Sequence, residues 1–171
     1  MSDAAIPFRK QMDFEYGVAE EVTPMVRRIV ARNPSGFTFH GTNTYIIGRG
    51  RVAVIDPGPL LDEHLEALVR ELDGETVEHI VVTHTHHDHS PGSEPLQNRV
   101  GGTLWGARPR PLPAGTKTTE SIHWAFAPDE ELTDGTVVKG DGWTLESIHT
   151  PGHMSNHMCF ALPEEDILFS G

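Results

Sequence analysis

The segment His84–His89, with the sequence HTHHDH, constrains the fold and function of this chain more than any other segment. It follows an apolar run that predicts a short buried strand. Zinc and similar ions bind imidazole nitrogens and carboxylate oxygens, and catalytic sites keep one position open for water. His84 and His86 are two residues apart, so they point the same way on an extended segment and can bind one ion. Asp88 and His89 lie at the turn just beyond and can bind a second ion.

A second group of candidate residues comes much later in the chain. The segment Thr150–His153 (TPGH) directly follows the predicted strand Leu145–His149. Its Pro-Gly pair favours a tight turn that leaves His153 at the rim of the sheet. Asp56 ends another predicted strand near the same rim, where it either supports the ligand turn as a hydrogen-bond acceptor or simply starts a turn. His157, four residues after His153, is a candidate for the same supporting role.

The remaining histidines and the cysteine receive simpler interpretations. A histidine tag would be terminal and uniform, whereas this cluster is internal and follows an apolar strand. His87 should point away from His86 and is not predicted to be a ligand. His64 lies on the outer part of an amphipathic helix and is predicted to face solvent, and Cys159 is predicted to be buried in a strand. Structural roles are expected for four other histidines: His40, His79, His123 and His149.

Composition narrows the classes of function. The net charge is -12, from 13 basic and 25 acidic side chains. This charge argues against general electrostatic binding of nucleic acid. The single cysteine excludes an internal disulfide framework and fits a reducing compartment. No apolar run approaches the roughly 18 residues that a membrane span needs, and the N-terminus has no apolar signal-peptide core. We therefore expect a soluble cytoplasmic protein with no membrane partner.

The order of predicted elements indicates a layered α/β fold with sheet in the middle. Short β-branched segments predict a hairpin formed by Thr42–Ile47 and Val52–Ile55. Leucines at helical spacing predict a helix over Leu60–Leu72, and a short helix or turn is predicted over Ser90–Val100. Further strands are predicted at Met25–Ala31, His79–Thr83, Gly102–Trp105, Val137–Val138, Trp143–His149, His157–Leu162 and Ile167–Phe169.

The stretch Gly106–Pro128 differs from the rest because its prolines cannot lie inside a helix or a central strand. It is predicted to be a long loop, and loops of this length are uncommon unless they are functional or disordered. Arg108, Arg110 and Lys117 in this loop could meet a phosphate or carboxylate. Such residues more often only solvate a loop.

These motifs resemble those of the metallo-beta-lactamase superfamily. The pattern HxHxDH matches residues 84–89, the partner turn matches Gly152-His153, and the exit of the early hairpin matches Ile55–Gly58. The segment Thr42–Tyr45 (TNTY), and the histidine four residues after the second turn, are most similar to the beta-lactamase-like 2 branch of hydrolases. The resemblance covers about Val22 to Gly171 and implies an α/β fold, namely the N-terminal part of an αββα sandwich.

The resemblance also implies a metal-dependent hydrolase that uses a metal-bound hydroxide, with one or two zinc ions or other divalent metals. His84, His86 and His153 would bind one ion, and Asp88 and His89 the other. Asp88 would in addition hold and orient the hydroxide. The substrate stays open among esters, thioesters, lactones and lactams, and a single-strand-specific endoribonuclease is the alternative within the same superfamily. We expect a small-molecule substrate rather than a nucleic acid.

In this family an aspartate that bridges the two ions follows a Phe-Ser-Gly run, which here is Phe169–Gly171, the end of the sequence. We therefore expect an N-terminal extension over residues 1–21 and a metallo-beta-lactamase-like domain over residues 22–171 that is incomplete at its C-terminus. Apolar faces left open would favour association or a homo-oligomer. A further alternative is a zinc-binding fragment with little or no activity.

Overall fold

The computed structural model describes residues 11–111, 115 and 121–171, and within them the strands form two sheets. The larger sheet contains β1 (Glu20–Glu21), β2 (Val26–Val30), β3 (Asn43–Ile47), β4 (Arg51–Ile55), β5 (Thr76–Val81), β6 (Thr103–Gly106) and β7 (Glu130–Glu131), hydrogen-bonded in that order. The smaller sheet contains β8 (Val137–Lys139), β9 (Thr144–His149), β10 (Met158–Leu162) and β11 (Ile167–Phe169), in the order β11-β10-β9-β8. The helices are α1 (Asp62–Glu71) and α2 (Ser93–Val100), and a 3-10 turn spans Pro163–Glu165.

The connections explain where the site lies. Strands β2, β3 and β4 are antiparallel neighbours, whereas β4, β5 and β6 are parallel. Parallel neighbours need a crossover, which α1 supplies between β4 and β5 and α2 between β5 and β6. The carboxyl ends of β4 and β5 therefore meet at one edge of the sheet, where ligand sites of open parallel sheets form.

Two apolar cores pack against opposite faces of the larger sheet. Alternate residues of β4 serve each core: Val52 and Val54 pack with α1 and α2, while Ala53 and Ile55 pack with the smaller sheet. Burying each such Val or Ile side chain contributes roughly 1.5–3 kcal/mol, so the alternation fixes the register of the sheet. The result is one helical layer followed by two sheet layers, which confirms the predicted α/β fold.

Most predicted elements are confirmed, with adjusted ends. The early hairpin and the helix predicted over Leu60–Leu72 are present, and the helix predicted over Ser90–Val100 begins at Ser93. The strand predicted at His79–Thr83 instead spans Thr76–Val81, because its polar start pairs with β4, which no local pattern reveals. No helix within the described part of the chain is long and apolar enough to cross a membrane.

The prediction that His64 faces solvent is wrong. Its side chain is 2% exposed, and its Nε2 lies 2.8 Å from the Thr44 hydroxyl oxygen. The buried face of α1 runs through His64, Ala67 and Leu68, because the hydroxyl on β3 gives the imidazole a polar partner inside the core. Burial lowers the pKa of His64 to about 4, so the ring is neutral at neutral pH.

Residues 20–21, which the sequence places in an N-terminal extension, form the edge strand β1 against β2. The domain boundary at residue 22 stays a prediction. The described parts of the stretch 106–128 contain no helix, and Ile122 forms an isolated antiparallel bridge with His86. That bridge places the end of the loop directly beside the ligand turn.

Candidate metal centre

The structure brings three of the predicted ligands together at one point. One donor atom from each of His84, His86 and His153 lies within 4.8 Å of the others. They line a cavity of about 780 Å³ that Asp88 and His89 line as well. A cavity of this volume accommodates a small organic substrate.

The first ligand turn is held against the end of β4 by backbone hydrogen bonds. The Gly58 N–H donates to the His89 carbonyl, and the Gly92 N–H donates to the Gly58 carbonyl, both at 2.9 Å. A Cβ atom on Gly92 would lie 2.7 Å from the Pro57 carbonyl oxygen, so only glycine permits this approach. The turn after β5 is therefore rigidly joined to the turn after β4.

The second turn is tied to the first through Asn156, which the sequence analysis missed. Its side-chain amide donates to the Thr85 hydroxyl at 3.0 Å and to the Ala107 carbonyl at 2.8 Å. The Met158 N–H donates to the Thr83 carbonyl at 2.9 Å. The available signal was a polar residue close to the start of an apolar strand. Such a residue requires a hydrogen-bond partner once it is buried.

The tautomer of His84 follows from its neighbours. The Thr83 hydroxyl donates its one proton to Asp56 Oδ2 at 2.7 Å, so it can only accept from His84 Nδ1, 3.0 Å away. His84 Nδ1 therefore carries the proton and Nε2 holds a bare lone pair. That Nε2 is buried and has no hydrogen-bond partner among the described residues. Burial and the surrounding imidazoles lower the pKa of His84, which keeps the lone pair available.

The other two rings complete the arrangement. His86 Nδ1 lies 2.9 Å from His153 Nε2. Two ring nitrogens at this distance either share a proton or face a common cation. A bare buried nitrogen beside such a pair fits three-histidine ligation of a zinc-like ion with a position left for water.

Asp88 and His89 form a separate pair next to these rings. His89 Nε2 lies 3.4 Å from Asp88 Oδ2, and the His89 ring centroid is 4.1 Å from that of His84. Burial opposes protonation of His89, but the carboxylates of Asp56 and Asp88 outweigh it and raise the pKa of His89 to about 10. Burial likewise opposes ionisation of Asp88, yet the hydrogen bond and charge of His89 lower its pKa. At neutral pH Asp88 and His89 therefore form an ion pair without net charge, and a second cation bound there would displace the proton from His89 Nε2.

Asp56 supports this pair from behind the cavity. Its side chain is 3% exposed, and its carboxylate lies 2.8 Å from His89 Nδ1 and 2.7 Å from both the Thr83 N–H and hydroxyl. Its backbone φ of 49° is left-handed, which aspartate tolerates better than most residues. Asp56 therefore begins a turn and also contacts a predicted ligand, and its supporting role at a metal site stays a prediction.

The structure also places the remaining candidates. His157 lines the cavity, with its Nδ1 2.8 Å from the Thr150 hydroxyl, and Cys159 is buried in β10. His87 is exposed and does not share the three-histidine cluster. Arg108 approaches Glu131 at 3.7 Å, and Arg110 lines a different, smaller cavity. Lys117 lies outside the described residues.

Comparison with known proteins gives the class of protein that this fold and these residues define. The model of the metallo-beta-lactamase superfamily matches residues 37–171, and the chain therefore belongs to that superfamily. A metallo-beta-lactamase family protein from Thermus thermophilus shares the fold with a TM-score of 0.68 at 23% identity, over 88% of this chain and 60% of that chain. The metallo-beta-lactamase of Cronobacter sakazakii gives 0.66 at 17% identity, over 88% and 60%.

Curated relatives are more similar in sequence. An atrochrysone carboxyl ACP thioesterase from Aspergillus chevalieri is 35% identical over 159 residues, which cover 89% of this chain and 46% of that protein. A lactamase-like protein from an Aspergillus species is 34% identical over 158 residues, which cover 89% and 45%. The chain thus spans about half the length of the curated relatives that it matches.

Proposed function

We propose that this protein is a metal-dependent hydrolase that cleaves an acyl thioester. The observation that carries the proposal is the bare Nε2 of buried His84, which converges with His86 and His153 on one cavity. A buried nitrogen without a partner costs about 1–3 kcal/mol, a cost that a bound cation removes. This cost therefore favours a metal site over a structural histidine cluster.

His84, His86 and His153 would hold one ion, and Asp88 and His89 a second. Zinc bound there would supply Lewis acidity, which lowers the pKa of a coordinated water and polarises an acyl carbonyl. The Asp88 carboxylate, whose side chain is 32% exposed, would accept a hydrogen bond from a water in the site and orient it. Asp56 holds the His89 ring in place at 2.8 Å, and the Thr150 hydroxyl holds His157 against the cavity.

Three observations support a thioester of an organic acid over RNA. Relatives named as thioesterases match 89% of this chain at 34–35% identity. The net charge of -12 disfavours a polyanionic substrate. Phe37, which is 82% exposed, lines the same cavity and offers an apolar surface to an acyl group.

The test is metal content and turnover of the purified protein. Mass spectrometry of metals should find zinc or another divalent ion, and a chelator should abolish hydrolysis of an acyl thioester while added zinc restores it. His84→Ala with His153→Ala in one chain should remove both metal and turnover. Full activity in that double variant would overturn the proposal.

A substrate panel separates the alternatives. Equal quantities of a thioester, an ester, a lactone, a beta-lactam and a single-stranded RNA should give fastest turnover with the thioester. Preference for RNA would replace the proposed substrate with the endoribonuclease alternative. Zinc binding without turnover of any member would leave a metal-binding chain with no activity of its own.

A further inference from the structure

We propose that Thr83 is a positioning residue that locks His84 in the ligating tautomer and, through Asp56, links the two halves of the metal centre. The inference rests on the proposed metal site and deepens it. It concerns a residue that lies two positions after the end of β5 and directly precedes the first histidine of the ligand segment.

The proton count around Thr83 carries the first half of the inference. A hydroxyl has one proton, and Thr83 Oγ1 gives it to Asp56 Oδ2, because an ionised carboxylate can only accept. The oxygen then accepts from His84 Nδ1–H at 3.0 Å. Moving the proton from His84 Nδ1 to Nε2 would break this hydrogen bond and place an N–H where the cation would bind. Thr83 thus favours the one tautomer whose Nε2 lone pair faces the site.

Burial makes this arrangement effective. Thr83 is 1% exposed and His84 is 2% exposed, so bulk water does not compete with the hydroxyl for these two partners. The Thr83 N–H also donates to Asp56 Oδ1 at 2.7 Å, which fixes the carboxylate plane. Two hydrogen bonds from Thr83 therefore hold Asp56, and the Thr83 hydroxyl also accepts a hydrogen bond from His84.

The second half of the inference concerns Asp56 Oδ2, which contacts both halves of the site. It accepts from Thr83 Oγ1 at 2.7 Å and lies 2.8 Å from His89 Nδ1. The His84 half and the His89 half thus share one oxygen atom as an anchor. A change at Thr83 should act mainly on the three-histidine half, whereas a change at Asp56 should act on both.

The decisive variants are Thr83→Val, which removes the hydroxyl at nearly constant shape, and Thr83→Ser, which keeps it. Zinc affinity of the 171-residue chain, measured by competition with a zinc-binding dye, should fall about 10–100-fold in Thr83→Val, as expected for loss of a ligand's outer hydrogen-bond partner. Thr83→Ser should retain the wild-type affinity. Nitrogen-15 NMR of the metal-free chain should show the Nδ1–H tautomer of His84 in the wild type and in Thr83→Ser, and a mixture in Thr83→Val.

Asp56→Asn tests the shared anchor. It should weaken zinc binding at the three-histidine half and at the Asp88–His89 half together, whereas Thr83→Val should weaken mainly binding at the three-histidine half. Near-ultraviolet circular dichroism checks folding, and Thr83→Ala serves as a smaller substitution if Thr83→Val does not fold. A wild-type chain that binds no zinc would refute the proposed function. A wild-type chain that binds zinc, with unchanged affinity and tautomer in both hydroxyl-free variants, would refute this inference alone.

Discussion

Two buried histidines flank Asp56 in closely similar ways but serve different regions of the molecule. On the helix side, His64 Nε2 lies 2.8 Å from the Thr44 hydroxyl, which donates to the Asp56 backbone carbonyl at 2.7 Å. On the cavity side, His84 Nδ1 lies 3.0 Å from the Thr83 hydroxyl, which donates to the Asp56 carboxylate. In both arrangements the threonine hydroxyl donates its only proton to Asp56. It can therefore only accept from the histidine, which fixes the histidine tautomer.

The difference lies in what the other ring nitrogen faces. His84 Nε2 belongs to the cluster with His86 and His153, whereas His64 lies at the interface of α1 and β3, away from that cavity. The same local arrangement can therefore hold a proposed metal ligand or a structural core residue. The surroundings of the second ring nitrogen differ: His84 lines the cavity, whereas His64 is buried on α1.

The largest contrast is expected between His84→Ala and His64→Ala. Loss of His84 removes a proposed ligand and should lower zinc affinity by more than about 100-fold, beyond the effect of an outer partner. His64→Ala should leave zinc affinity unchanged but cost about 2–4 kcal/mol in the free energy of unfolding, because it opens a cavity beneath α1. Competition titrations and urea unfolding measure the two quantities. A similar loss of zinc affinity in both variants would contradict the distinction between the two histidines.

The next effect is a pH dependence of stability from the helix side. The pKa of His64 falls from 6.5 to about 4 on folding, so the folded state favours the neutral ring. Neutral His64 contributes fully to the free energy of unfolding above pH 6.5. About 3 kcal/mol of that free energy is lost as the pH falls from 6.5 toward 4. His64→Gln, which keeps a donor for Thr44 but does not titrate, should be less sensitive to acid by that amount. Parallel unfolding curves for the two proteins at every pH would contradict this.

The smallest and sharpest contrast pairs the two threonines. Thr44→Val removes the hydroxyl partner of His64 and should cost about 1–3 kcal/mol of stability, since a buried imidazole N–H loses its acceptor. Its zinc affinity should equal that of the wild type, unlike that of Thr83→Val. Both variants delete the same atom from the same residue type, so each serves as the control for the other. Reduced zinc affinity in Thr44→Val would show that the two sides of Asp56 are coupled.

The sequence predicted much of this because the signals were local. The spacing of His84 and His86 predicted a shared ion, and the family resemblance added His153. The structure brings one ring nitrogen of each within 4.8 Å of the others. Whether they bind metal stays a prediction. The hairpin and α1 followed from β-branched and leucine periodicity. The environment of His64 did not, because its acceptor Thr44 lies 20 residues away and no helical pattern reveals it.

The sequence by itself determined the type of fold, the family to which the chain belongs and the set of candidate ligands, because periodicity and motif spacing are properties of neighbouring residues. Only the tertiary structure decided the contacts of Thr83 with His84 and Asp56, the contacts of Asn156, and the burial of His64. Those depend on which hydroxyl, carbonyl and carboxylate groups meet across strands, and hence on the packing of distant segments. Asp56 shows both contributions: its position at a strand end is local, whereas its contacts with Thr83 and His89 exist only in the folded chain.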